Sequence, residues 1–201
     1  MQPLWTDQID TVAHKIMPPD YPIVWMGVHS AHDLPTKTDI LGACWAWCGK
    51  ASDQLYGAAF VANTDTKDED GDHWVVFYFP SPYHKNRTYG AYFFDPLGRS
   101  PLDNGHAEWE ELLSSWSTDA WEYNQVHIQE IGANCCGQLC LLWLFYMTGR
   151  RGFPLGCGTP TTVVQTHFNN MLYAPSPYRR PRQNVYVRSP LLNVCPGHYI
   201  N

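Results

Sequence analysis

The alternation of hydrophobic and polar positions is clearest in the middle of the chain, where two apolar runs stand close together. The first, His73 to Phe79, consists largely of β-branched and aromatic residues and ends at Pro80-Ser81-Pro82. The second, Tyr89 to Phe94, has the same character and is followed by Asp95-Pro96-Leu97-Gly98. Such runs, bounded by proline and glycine, predict two buried strands. A hairpin-like connection is expected at His84 to Arg87.

A third apolar run, Leu139 to Met147, is hydrophobic on every side of a helical projection and is followed by Gly149. A helix of this kind has to be buried. We therefore expect it to be the central helix of the domain, entered through Gly132 to Gln138. Three further helices are predicted, at Ile9–Met17, at Leu41–Trp47 with Asp39 as a cap, and at Glu108–Trp116.

Less regular patterns fill the rest of the chain. Tyr21 to Val28 has extended character, Tyr56 to Ala62 is small and apolar, and Gln125 to Ile131 alternates as a third strand would. Residues 153–201 are rich in Pro, Tyr and Arg and predict no clear element. The pattern as a whole predicts an α+β fold in one domain over residues 1–201, with a central mixed sheet packed against the buried helix.

Composition and charge narrow the classes of function. Hydrophobic residues make up 44% of the 201 residues and charged residues 16%, which is typical of a globular domain. The formal net charge of −6 argues against a protein built around non-specific nucleic-acid binding. Neither a signal peptide nor a run of membrane-spanning length is visible, so we expect an intracellular protein without a membrane partner. The odd number of cysteines, seven, then favours reduced thiols.

Four chemically capable residues fall at the ends of the predicted elements. His73 opens the first strand, Asp95 closes the second, and Cys136 lies in the turn that begins the buried helix, with Gln129 seven residues before it. Unpaired N–H groups in a first helical turn stabilise a thiolate. A histidine on a neighbouring strand can accept the thiol proton, and a carboxylate can orient that histidine. The pattern favours a cysteine nucleophile with a histidine base.

The same region offers donors for an oxyanion. The backbone N–H of Cys136 and the side-chain amide of Gln129 are candidates, and Gly137 leaves room for a substrate backbone. Each residue alone has an ordinary explanation, as a packed histidine, a small buried thiol or a turn aspartate. Their joint order favours catalysis. Cys135, next to Cys136, is an alternative nucleophile.

These motifs resemble the adenovirus protease (adenain) family, which belongs to the wider clan of proteases for ubiquitin-like proteins. His73-Trp74 matches the His-Trp of that family, and Phe94-Asp95-Pro96-Leu97-Gly98 resembles its Phe-Glu-Pro-Phe-Gly, with Asp in place of Glu. Asn134 to Cys140 is similar to its Ala-Ala-Cys-Gly-Leu-Phe-Cys, and Gln129 has the family spacing. The order of the two residues in the chain also separates this sequence from papain-like enzymes, which place Cys before His, whereas here His73 precedes Cys136. The similarity continues at Thr159-Pro160-Thr161, Asn170-Met171-Leu172, Pro175, Arg179-Arg180, Gln183 and Tyr186.

The resemblance implies the adenain-like fold and a viral cysteine endopeptidase that cleaves capsid or core precursors at glycine-containing sites during virion maturation. It implies a triad of Cys136, His73 and Asp95, with Gln129 and the Cys136 N–H at the oxyanion. The expected location is the host nucleus and the virion.

The resemblance also implies how substrate is held. Trp74 is expected to wall a narrow tunnel that admits glycine near the scissile bond, with Gly137 as a second substrate-binding residue. No metal ligand is expected.

Two activators follow from the resemblance. A short viral peptide activates members of the family through a disulfide to a cysteine upstream of the Gln, but no cysteine lies between Cys48 and Cys135. DNA is a second family cofactor, and Arg179 to Arg182 is the candidate surface for it.

Two other functions remain open. A protease for ubiquitin-like modifiers would use the same core chemistry on conjugates that end in Gly-Gly. A non-enzymatic zinc or interaction module would use Cys44 with Cys48 and Cys136 with Cys140. Both cysteine pairs lie in apolar, helix-like segments, which favours buried thiols over zinc ligands.

Overall fold

A mixed β-sheet lies at the centre of the protein and is covered by helices on both faces. The computed structural model describes residues 1–18, 21–51, 56–66, 73–83, 90–116, 120–148 and 152–173, without the side chains of 48–51 and 148. Within these ranges the strands are β1 (Ile23–His29), β2 (Gly57–Asn63), β3 (Trp74–Pro80), β4 (Tyr92–Phe94) and β5 (Glu122–Tyr123). The helices are α1 (Thr6–Ile16), α2 (Lys37–Ala51), α3 (Ala107–Trp116), α4 (Cys136–Thr148) and α5 (Thr161–Tyr173).

The sheet has the spatial order β1-β2-β3-β4-β5. β1 runs parallel to β2, β3 runs antiparallel to β2 and β4, and β5 runs parallel to β4. Every residue of β2 and β3 is buried. Burial on both faces explains why these strands are apolar, apart from Asn63 at the end of β2, instead of alternating. The α+β prediction, with a mixed sheet and a buried strand after His73, is confirmed.

Successive side chains of β3 belong to two different cores, because neighbouring residues of a strand point to opposite faces. Val76 packs in the core shared with Leu141 of α4 and with α1 and α5. Phe77 packs in the second core with Trp109 of α3 and with α2. The protein therefore has three layers, with the sheet in the middle.

The predicted buried helix is α4. Every residue from Cys136 to Phe145 is buried, and the helix packs against β3, α1 and α5. Burial of each large apolar side chain stabilises the fold by about 1.5–3 kcal/mol. The backbone N–H of Leu139 donates to Cys135 O at 3.0 Å, so the ladder of helical hydrogen bonds starts at Cys135. The N–H groups of the first turn, starting at Cys136, have no partner inside the helix.

The cap of α2 differs from the prediction. Thr36, not Asp39, is the capping residue, since the Asp39 N–H donates to Thr36 Oγ1 at 3.3 Å. Asp39 reciprocates, because its Oδ2 accepts from the Thr36 N–H at 2.9 Å. The two residues form a capping box, in which the acidic residue stands inside the first turn.

The predicted strand at Gln125 to Ile131 is wrong. Only an isolated bridge from Gln129 to Thr159 occurs there, and the strand β5 lies earlier, at Glu122–Tyr123. The segment bonds elsewhere, since the N–H groups of Ile128 and Gln129 both donate to Pro96 O. α5 also lies in a region for which the sequence predicted no element.

Several predicted features lie outside the described residues. These are the connection at 84–87, the basic segment 179–182, the family-like tail beyond residue 173 and the side chain of Cys48. Among the described helices, none has the length and apolar character that crossing a lipid bilayer requires.

Candidate active site

The ends of β3 and β4 bring two predicted catalytic side chains together. His73 immediately precedes β3 and Asp95 immediately follows β4. These strands are antiparallel, with Val76 opposite Phe94, so the start of one and the end of the other lie at the same edge of the sheet. Cys136 begins α4, which packs on β3, and it lies near enough to His73 to raise the pKa of that histidine. Three groups distant in sequence therefore meet at one place.

The contact between His73 and Asp95 is short and buried. His73 Nε2 lies 2.6 Å from Asp95 Oδ1, and the two residues are 5% and 0% exposed. The carboxylate can only accept, so Nε2 donates and Nδ1 is the ring nitrogen that remains for a second partner. The carboxylate therefore fixes one side of the imidazole, and Cys136 also affects the pKa of the ring.

The surroundings of His73 favour its protonated form. Burial disfavours the imidazolium and lowers the pKa, but the hydrogen bonds to Asp95 and Cys136 and the attraction of their charges outweigh burial. The net effect raises the pKa of His73 from 6.5 to about 9. A proton that leaves the thiol of Cys136 is therefore well accommodated on this ring.

Each carboxylate oxygen of Asp95 accepts two hydrogen bonds. Oδ1 accepts from the Leu97 N–H at 2.6 Å as well as from His73, and Oδ2 accepts from Asn104 Nδ2 at 2.9 Å and Arg99 Nε at 3.4 Å. Burial raises the pKa of Asp95, but the bond to His73, the attraction of its charge, and the Asn104 and Leu97 bonds together lower it. Asp95 is therefore held as an anion.

Asn124 fixes the backbone on which Asp95 stands. Its Oδ1 accepts from the Asp95 N–H at 2.8 Å, and its Nδ2 donates to Asp95 O at 2.5 Å and to Val126 O at 3.1 Å. The side chain is 5% exposed. Sequence reasoning did not find Asn124 or Asn104, because nothing in either stretch indicates which loop each amide reaches.

The neighbouring thiols have surroundings unlike those of Cys136. Burial and the charge of Cys136 raise the pKa of Cys135 to about 11. Burial, together with charges including that of Cys136, raises the pKa of Cys140 well above its usual range. Cys140 also donates its S–H to Trp74 O, with the sulfur 3.2 Å from the oxygen. Both are held as neutral thiols, which are poor nucleophiles.

Gln129 lies against the loop that precedes α4. Its Nε2 donates to Ala133 O at 2.5 Å, and the residue is 7% exposed. Its Oε1 is buried and has no hydrogen-bond partner among the described groups. Because an amide nitrogen carries two hydrogens, one remains after the bond to Ala133. The backbone at Gln129 is anchored by the bridge to Thr159.

Trp74 and Gly137 contact the N-terminal segment. Trp74 Nε1 donates to Leu4 O at 3.1 Å. A Cβ atom at Gly137 would lie 3.2 Å from Leu4 Cβ, 3.2 Å from Ile9 Cδ1 and 3.4 Å from Trp74 Cδ1. The space beside Gly137 is therefore filled by Leu4 and Ile9, and close packing accounts for the glycine. The substrate-binding roles of Trp74 and Gly137 stay predictions.

The zinc alternative based on cysteine pairs gains no support from the described residues. Where three or more potential metal ligands cluster in the described part of the chain, the set contains no cysteine. Cys140 is instead engaged with a backbone carbonyl in the interior.

Comparisons with known proteins identify no family. No protein-family model matches the chain, and no curated protein matches it. Among solved structures, the chain is similar to the central domain of the uncharacterized protein Lpg1148 from Legionella pneumophila, at 15% identity. That match has a TM-score of 0.46 and covers 84% of this chain and 88% of the other. A likeness of this extent identifies neither a fold family nor a function for the chain.

Proposed function

We propose that the protein is an adenain-like cysteine endopeptidase in which Cys136 is the nucleophile. The observation that carries the proposal is the buried series Asp95, His73 and Cys136, with 2.6 Å between carboxylate and imidazole and a pKa of His73 that both neighbours raise. Burial of polar groups at the edge of an apolar core is costly. Such a concentration of ionisable groups is typical of active sites.

In the proposed acylation step, the proton of Cys136 resides on His73 Nδ1 and the thiolate attacks the carbonyl carbon of the scissile bond. His73 then gives its proton to the leaving amine as the C–N bond breaks, which leaves a thioester on Cys136. Asp95 keeps Nε2 protonated and Nδ1 directed at sulfur throughout, and stabilises the imidazolium. In the second step His73 takes a proton from water, the hydroxide attacks the thioester, and the C–S bond breaks.

The negative oxygen of the tetrahedral intermediate needs donors. The N–H of Cys136 is one, since it lies at the start of α4 where the helix leaves N–H groups unpaired. The second hydrogen on Gln129 Nε2 is the other, with its first hydrogen committed to Ala133. Loss of such a donor lowers kcat by about 10²–10³-fold.

The identity of the nucleophile rests on the difference among the cysteines. Cys136 raises the pKa of His73, whereas burial and the charge of Cys136 leave Cys135 with a pKa of about 11. We expect Cys136→Ala to lower turnover about 10⁶-fold, as loss of a nucleophile does in a catalytic triad. Cys135→Ala, a matched change one residue away, should keep most of the activity.

The resemblance supports viral capsid or core precursors as substrates, cleaved at glycine-containing sites in the host nucleus and the virion. A peptide library with each residue varied around a cleavage site tests this. Strong selection for glycine next to the cut supports the proposal, and equal cleavage of bulky residues there contradicts it. Cleavage of ubiquitin-like modifier fusions in preference to the peptides would assign the alternative substrate class. Absence of any cleavage that depends on Cys136 would overturn the protease proposal itself.

A further inference from the structure

A second cluster of reactive side chains lies outside the proposed active site. It consists of His32 in the turn after β1, His106 just before α3, and Glu108 in the first turn of α3. Glu108 Oε1 lies 3.3 Å from His106 Nδ1 and 3.6 Å from His32 Nδ1. One ligand atom from each residue lies within 4.8 Å of the others. Ligands held about 2.0–2.2 Å from a tetrahedral zinc lie about 3.3 Å from one another.

We propose that His32, His106 and Glu108 bind a transition-metal dication of the zinc class. Imidazole nitrogens with one carboxylate suit Zn²⁺, Co²⁺, Ni²⁺ or Cu²⁺, whereas Ca²⁺ and Mg²⁺ take oxygen ligands. Two neutral imidazoles and one carboxylate leave a single positive charge on the complex. The proposal is independent of the protease function.

The hydrogen bonding of His106 presents the correct atom to a metal. Its Nε2 lies 2.7 Å from Thr64 O, and a carbonyl only accepts, so Nε2 carries the hydrogen. In the neutral ring the lone pair is then on Nδ1, which faces Glu108. A histidine that ligates a metal usually donates its other N–H to such a carbonyl. Two lone-pair atoms 3.3 Å apart require a cation between them, which is either a metal ion or a proton.

The protein fixes the side chain of His106 and the backbone of His32 before any metal binds. His106 is 8% exposed and stacks on Trp109, with ring centroids 4.0 Å apart. Trp109 Nε1 donates to Ala31 O at 3.0 Å, and the Ala31 N–H donates to Asp65 O at 3.0 Å. Ala31 directly precedes His32, so the backbone of that ligand is tied to the element that carries the other two. Such preorganisation lowers the entropic cost of binding.

The solvent side of the cluster is open. The side chains of His32 and Glu108 are 64% and 52% exposed, so an ion can enter and keep water as its remaining ligand. Bound metal would clamp the turn after β1 to the start of α3. The backbone of Thr64 connects this cluster to the proposed catalytic base, because Thr64 O accepts from His106 and the Thr64 N–H donates to His73 O at 2.9 Å.

The test uses the full chain, freed of metal with a chelator, and Co²⁺ as a spectroscopic probe followed by Zn²⁺. We expect one equivalent of metal per chain by elemental analysis after desalting, and Co²⁺ bands in the visible without the thiolate charge-transfer bands that cysteine ligands give. Zn²⁺ at 100 times its dissociation constant should raise Tm by about 5–10 °C.

His32→Gln and Glu108→Gln change exposed side chains that should not disturb folding, and each should abolish the bound equivalent and the rise in Tm. His14→Gln is the matched control, because His14 Nδ1 lies 3.4 Å from Asp10 Oδ2 and no third potential ligand joins this pair among the described residues. The control should bind metal as the parent does. Three results would each overturn the proposal: no metal on the parent, a thiolate spectrum, or unchanged binding in both variants. If the parent binds no metal, a proton between His106 and Glu108 explains their contact.

Discussion

Replacement of Asp95 by Asn should change the electrostatics of the site more than any other substitution of similar size. The amide keeps the volume but removes the charge and turns one oxygen into an N–H₂ group. His73 and Leu97 donate to one carboxylate oxygen, and Asn104 and Arg99 donate to the other. In either orientation of the new amide, its N–H₂ group therefore faces two of these N–H donors and cannot accept from them.

The size of the effect follows from the bond to His73. A hydrogen bond to a charged partner contributes about 1.5–3 kcal/mol, and about 1.4 kcal/mol corresponds to one pH unit of titration. Burial by itself lowers the pKa of His73. The substitution Asp95→Asn should therefore move the titration of His73 downward, from about pH 9, by about one to two pH units.

Nuclear magnetic resonance of ring-labelled histidine measures this directly, with the His73 signal assigned by its absence in His73→Gln. The chain has nine histidines, so the other signals report whether the fold is intact. Asp103→Asn is the control, because Asp103 is an acid in the same loop whose Oδ2 accepts from Ser100. Titration of His73 at the same pH in Asp95→Asn as in the parent would refute the reasoning.

Three further predictions concern stability. Since the pKa of His73 is raised on folding, from 6.5 to about 9, its contribution of about 3 kcal/mol should be fully present below pH 6.5 and lost as pH rises through about 9. Urea unfolding across this range checks it, and a free energy of unfolding that rises with pH there contradicts it. Asn124→Ala should lower that free energy by about 2–4 kcal/mol, because the backbone N–H and C=O of Asp95 lose buried partners, and a change under 1 kcal/mol would argue against the clamp. Gly42→Ala should stabilise α2 by about 0.5–1 kcal/mol, since apart from the adjacent residues and the backbone of α2 itself, no atom of the described residues lies within 4 Å of the new Cβ. Gly137→Ala should give no such gain, because its Cβ meets the N-terminal segment, and equal gains in thermal unfolding would refute that contact.

Local pattern predicted the elements that carry the proposed site. The apolar run after His73 and the run after Cys136 are each long and bounded. The first became a fully buried strand, and the second became a helix that is buried from Cys136 to Phe145. The positions of His73 and Cys136 at the starts of these elements followed from that. A carboxylate–Pro turn after the next strand placed Asp95 at the same edge.

The hydrophobic pattern of the sequence did not predict the interactions between distant segments. Gln125 to Ile131 alternates like a strand, but its backbone donates to Pro96 instead of extending the sheet, a choice that depends on tertiary packing. The same holds for Asn124, whose amide fits one particular turn. The His32, His106 and Glu108 cluster joins two loops that only the fold brings together.

The pairing of Cys136 as nucleophile with His73 as base is the central claim, and a thiol-reactive peptide probe that ends in glycine tests it most directly. After treatment at neutral pH, mass spectrometry locates and counts the adduct on every cysteine, with exposed Cys157 as an internal comparison for solvent access. One adduct on Cys136, formed faster than on Cys157 and lost in His73→Gln, is the result that the proposal predicts. Labelling of Cys136 no faster than Cys157, or at the same rate without His73, would contradict it.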